Sequence, residues 1–144
     1  MVAAVKGVKI EGMDELQATL KDVLPREARN ILRRTTLKIA SQVRDVVRQR
    51  APVDTGNLKK SIKSKRDKGT PTNITASVYV DKSGGKSGKG YHYHFVEFGT
   101  VKMSARPFIV PTVEEMRPGL SEEYRKEFGV QFEKEMQKRA KKKR

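Results

Sequence analysis

The spacing of apolar residues changes once along this chain, at Pro52, and that change limits the fold more than any other feature. From Arg26 to about Arg50, Ala28, Ile31, Leu32, Thr35, Ile39, Val43, Val46 and Val47 recur every three or four residues. This is the period of one helical face, and it predicts a single long amphipathic helix spanning roughly 37 Å at about 1.5 Å per residue. Its Arg29, Arg33, Arg44 and Arg48 must then face outward. Pro52 has no N–H to continue the ladder and biases Ala51 away from helical dihedrals, and Asp54-Thr55-Gly56-Asn57 supplies turn chemistry, so a bend is predicted over 51–57.

Beyond the bend the period shortens to two. Ser61 to Lys65 alternates around Ile62, Ile74 to Val80 alternates through Ala76, Val78 and Val80, and Tyr91 to Phe98 is rich in aromatics. These segments predict the strands of a small antiparallel β-meander. Between the last two lies DKSGGKSGKG (81–90), with four glycines and three lysines (Lys82, Lys86, Lys89) and no apolar residue, which predicts a mobile hairpin tip.

The flanks are simpler. Val8 and Ile10 predict a short strand, and Asp14 with Gln17 predicts a helix start that presents Leu16, Leu20 and Leu24 before Pro25. Phe108-Ile109-Val110, bounded by Pro107 and Pro111, predicts an edge strand at best. Thr112 with Glu115 reads as a capping box and Pro118-Gly119 as a kink. Leu120, Tyr124, Phe128, Phe132 and Met136 then recur every four residues, predicting a C-terminal amphipathic helix. The fold class expected is α+β: a long amphipathic helix packed on a small antiparallel β-meander, with a C-terminal amphipathic helix. One domain is expected over 1–137, followed by a basic, disordered tail at 138–144.

Composition narrows the chemistry. The 144 residues contain no cysteine and only His92 and His94, which removes disulfides, thiolate nucleophiles, Cys-ligated metals and His-rich metal sites. MVAAVKGVKI is interrupted by Lys6 and Lys9, and no apolar run approaches the roughly 20 residues of a membrane span, so a soluble product made in the cytoplasm is expected. Thirty-two basic against seventeen acidic side chains give +15, a charge suited to polyanions or acidic protein surfaces. Most of it sits at 44–68 and 134–144, each net +6.

Catalytic motifs are wanting. Gly85-Lys86-Ser87 imitates the end of a nucleotide loop, but Val80 stands where the first glycine is required. His92 and His94 would share a strand face, but a third metal ligand would have to be Glu97 or another distant carboxylate, and a triad of Ser61, a histidine and Asp54 has no nucleophile elbow. No catalytic residue, cofactor or metal is expected. Nucleic-acid binding is the chemical alternative, since clustered cations release counterions from phosphates and Tyr91 or Tyr93 could stack on bases, but no helix-turn-helix or RNA-recognition pattern accompanies them.

Two motifs without catalytic logic remain: Ala51-Pro52-Val53-Asp54-Thr55-Gly56-Asn57-Leu58-Lys59-Lys60-Ser61-Ile62, and Tyr93-His94-Phe95-Val96-Glu97-Phe98-Gly99-Thr100 followed by Ala105-Arg106-Pro107-Phe108. In this order, from about Gly12 to Glu115, the chain resembles the neck and tail-completion (head–tail joining) proteins of long-tailed bacteriophages, the group that includes minor tail protein Z of lambda-like phages. The resemblance implies a non-enzymatic α+β virion protein that assembles as a six- or twelve-fold homo-oligomeric ring. The ring would join the DNA-filled head to the tail and contact a head-closure or adaptor protein and a tail-terminator or tail-tube protein. The loop at 81–90 and the basic tail depart from the commoner pattern.

Interface candidates are accordingly Asp54, Thr55, Gly56, Glu97, Phe98, Gly99, Thr100, Arg106, Pro107 and Phe108, with Lys82, Lys86 and Lys89 on a docking loop. Asp54, Thr55 and Gly56 are expected to form the turn between helix and sheet. Glu97, facing away from Val96 and Phe98 in a strand, is expected to pair with an arginine of the next subunit or with its own Arg106. Acidic protein neighbours are favoured over genomic DNA as partners of the basic segments, because DNA must slide through a neck. A basic nucleic-acid-binding accessory protein is the alternative function.

Overall fold

The computed structural model describes residues 25–53, 56–70, 73–83, 90 and 92–143. In chain order its elements are α1 (Pro25–Arg50), α2 (Asn57–Ser61), β1 (Ile62–Arg66), β2 (Ala76–Val80), α3 (Tyr93–Phe98) and α4 (Ile109–Lys142). The fold is α+β, and the described residues form two long helices and one two-stranded antiparallel sheet. Asp67 N–H donates to Thr75 O (3.0 Å) at one end of the strand pair and Asp81 N–H to Ser61 O (2.8 Å) at the other, which fixes the register. No helix among the described residues is long and apolar enough to cross a membrane.

The chain divides into two compact units, and both long helices contribute to each. The first comprises residues 1–39, 66–77 and 119–144. Its buried residues include the inward stripe of α1 (Ala28, Ile31, Leu32, Thr35, Ile39) and Leu120, Tyr124 and Glu127 of α4. Burying a side chain such as Ile31 or Leu32 contributes about 1.5–3 kcal/mol, so this stripe is the main reason the helix forms here. Thr35, fully buried, returns its hydroxyl to Ile31 O (2.9 Å) and so leaves no orphan donor. Thr36 Oγ1 lies 3.0 Å from the Tyr124 hydroxyl. Glu27–Arg139, Arg34–Glu135 and Lys38–Glu127 pair in descending order along α4, so the two helices run antiparallel here. Burial pushes the Glu127 carboxyl up, but hydrogen bonds from Gln131 and Lys38 outweigh it and hold the group below its ordinary value.

The second unit comprises residues 40–65 and 78–118. Ala40, Val43, Val47, Ala51, Ile62 and Phe108 are its buried apolar residues. Arg48 clamps the Ile62 carbonyl with Nε (2.9 Å) and Nη2 (2.6 Å), tying the last turns of α1 to the start of β1. Arg50 binds both carboxylate oxygens of Glu115 in fork geometry.

Four expectations change. Residues 93–98 form a helix rather than a third strand, closed by Val96 N–H to His92 O and Gly99 N–H to Phe95 O. Phe95 and Val96, adjacent and both half-buried, cannot share one side of a strand, whereas a helical turn places both beside the buried Glu97. Among the described residues the sheet is therefore two-stranded. Ile109 opens α4 instead of lying in a strand, because Pro111 falls in the first helical turn, where a missing N–H costs nothing. Thr112 is thus one turn inside the helix, with its hydroxyl on Phe108 O (2.5 Å). Lastly, α4 runs through Pro118 to Lys142, so residues 138–142 are helical, with Arg139 held by Glu27. The strand expected at Val8–Ile10, the helix from Asp14, and Asp54, Thr55, Lys86, Lys89 and Tyr91 lie outside the described residues.

Candidate functional site

The second sequence motif folds into one corner of the second unit. Gly99 ends α3 with φ 73° and ψ 177°, a backbone conformation that essentially only glycine adopts. A Cβ there would also lie 2.7 Å from Ala105 N and 2.9 Å from Met103 O. The chain then reverses tightly. Thr100 N–H donates to Met103 O (2.8 Å), Met103 N–H returns to Thr100 O (3.3 Å), and Arg106 N–H reaches Val96 O (2.8 Å).

Glu97 fixes the corner from within. Only 4% exposed, its carboxylate accepts the Phe108 N–H (2.8 Å) and Ile109 N–H (3.1 Å) on Oε2 and the Val110 N–H (2.9 Å) on Oε1. These amides open α4 and have no partner within the helix. A buried carboxylate thus caps a helix that starts more than ten residues further on, where the aligned peptide dipoles favour negative charge. Among the described residues Glu97 makes no ion pair, with Arg106 or any other cation, and its carboxylate is taken up by these three amides. The strand geometry behind that expectation is replaced by α3. Phe108 is the apolar plug behind the cap, at 3% exposure.

What this scaffold presents outward is apolar. Phe98 is 62% exposed and Val101 fully exposed, and Met103 is exposed beside them. Lys102, Arg106 and Pro107 are exposed in the same segment. Exposed apolar side chains interspersed with cations, on a turn held by backbone hydrogen bonds and a buried carboxylate, suit protein docking. It offers no catalytic constellation. Val101 and Met103 escape the motif reading; the signal for them is an apolar-Lys-apolar tripeptide between two turns with no strand to pair with.

The other candidates scatter. Gly56 precedes α2 with φ 75°, the left-handed conformation expected of its turn. Lys82 sits 4.9 Å above the Tyr93 ring. His92 and His94 fall at the start of α3, where residues two apart do not share a face. Among the described residues no group of His, Asp and Glu is placed to hold a metal ion.

Residues 14–99 match a protein-family model described as "Bacteriophage HK97-gp10, putative tail-component". No curated protein and no solved structure matches the chain.

Proposed function

Because the chain belongs to the HK97-gp10-like family of bacteriophage tail components, a structural family of the virion, we propose that it forms a homo-oligomeric ring in the neck or tail-completion region and joins the DNA-filled head to the tail. The likeness of its paired motifs to minor tail protein Z of lambda-like phages points the same way. Its partners on this reading are copies of itself, a head-closure or adaptor protein, and a tail-terminator or tail-tube protein, and it acts by docking rather than by catalysis.

One observation carries the reading: the rigid corner that holds Phe98, Val101 and Met103 in solvent. Leaving such side chains exposed forgoes about 1.5–3 kcal/mol apiece, which a neighbouring subunit recovers on assembly. The candidates Gly99 and Thr100 shape the turn, Phe108 anchors it, and Arg106 and Pro107 form its rim. Lys82, Lys86 and Lys89 serve as a second contact.

The test is complementation of a phage lacking this gene by Val101→Asp/Met103→Asp. Both side chains are exposed, so the variant should fold normally, and unjoined heads and tails should accumulate. Normal yields of infectious particles would overturn the reading, as would unjoined structures that stall at a stage before the neck is made.

A further inference from the structure

The second unit holds an open cleft of about 380 Å³ between the end of α1 and α2, lined by Arg48, Gln49, Lys59 and Lys60. Three of its four walls are cationic and none is acidic. Arg48 is held in place by its two bonds to Ile62 O. The nearest carboxylate, Asp45, is 4.0 Å from Arg48 Nη1 but is bound more closely by Arg44 (2.8 Å). Lys59 and Lys60 have no carboxylate partner among the described residues. Gln49 adds an amide donor.

We propose that this cleft binds the phosphodiester backbone of duplex DNA, without regard to sequence. Phosphate needs only convergent cations and donors, which the cleft has. An acidic peptide would also need a pocket of apolar residues for an anchoring side chain, and all four lining residues are charged or amide-bearing, so the apolar part of the lining is only the carbon of those residues. With about three cations the contact is shallow: the logarithm of affinity should fall by about 0.9 per phosphate neutralised for each unit of log salt, so the grip is weak enough for DNA to move past. The assignment goes beyond head–tail joining and stands whether or not that function holds.

The experiment is fluorescence anisotropy of a random-sequence 20-base-pair duplex with the full-length protein from 50 to 200 mM salt. Lys59→Gln/Lys60→Gln is compared with Arg125→Gln/Lys126→Gln, which removes the same charge from the exposed face of α4. The cleft variant should show a salt slope shallower by about 2 and a roughly tenfold loss of affinity near 0.1 M salt, with the control losing less than half of either. Urea unfolding of both variants verifies that they are folded. Equal losses in the two variants would overturn the proposal, because binding would then follow net charge. So would poly-glutamate binding the wild type more tightly than the duplex and depending on the same lysines, since that marks an acidic protein as the occupant.

Discussion

At the scale of single residues, Glu97 and Gly99 make the motif something other than a recognition sequence read from outside. Glu97 is buried against three backbone amides, so Glu97→Gln keeps the shape but loses the charge-assisted bonds. It should cost about 1–3 kcal/mol in urea unfolding, and Glu97→Ala should cost at least as much because the amides are left unpartnered in a buried site. Gly99→Ala meets both a forbidden φ and a backbone collision, and a loss of about 2 kcal/mol or more is expected from the same measurement. An unchanged midpoint for either would mean that the corner relaxes without them.

Between residues and the whole molecule, the elements differ in how closely their sequences fit their structures. Helix α4 contains Gly119 and Gly129, where an added Cβ meets nothing within 4 Å. Gly119→Ala and Gly129→Ala should each raise stability by about 0.5–1 kcal/mol, read as a higher urea midpoint at unchanged slope. At the sheet, Lys63 and Asp81 bond side chain to side chain across the strand ends. That hydrogen bond, joined by the Ser83 N–H, holds the Asp81 carboxyl far below its ordinary 3.8. The same bond raises Lys63 above its ordinary 10.5. A lowered acid stabilises the fold above its unfolded pKa, and a raised base does so below its own. The pair should therefore contribute fully from about pH 4 to pH 10.5 and fade outside that window. The melting temperature of Lys63→Met should lie below wild type at pH 7 and converge with it in strong acid and in strong base.

For the whole molecule, the net charge of +15 is a statement about partners rather than about fold. The structure spends part of it internally, on Arg34, Lys38, Arg50 and Arg139, and leaves Lys59, Lys60, Lys102 and Arg106 without a carboxylate among the described residues. Assembly through Phe98, Val101 and Met103 predicts that light scattering of the purified protein reports multimers, and that Val101→Asp lowers the mass while circular dichroism stays the same. Multimers unaffected by Val101→Asp would place the subunit contacts elsewhere.

The sequence by itself determined both long helices, the bend after Ala51, the two strands and the α+β class, because each rests on a period that repeats over many residues. It also carried the likeness to a bacteriophage tail component, through motifs in order. Tertiary structure decided the short elements. Whether 93–98 is helix or strand, and whether 108–110 is strand or helix start, turns on one side chain: in its helix Glu97 meets the Phe108, Ile109 and Val110 amides. A run of six residues has too few turns to declare its own period, so a contact from beyond its ends settles it. The outward corner and the basic cleft follow the same logic, since exposure and convergence belong to the packed chain and not to any stretch of it.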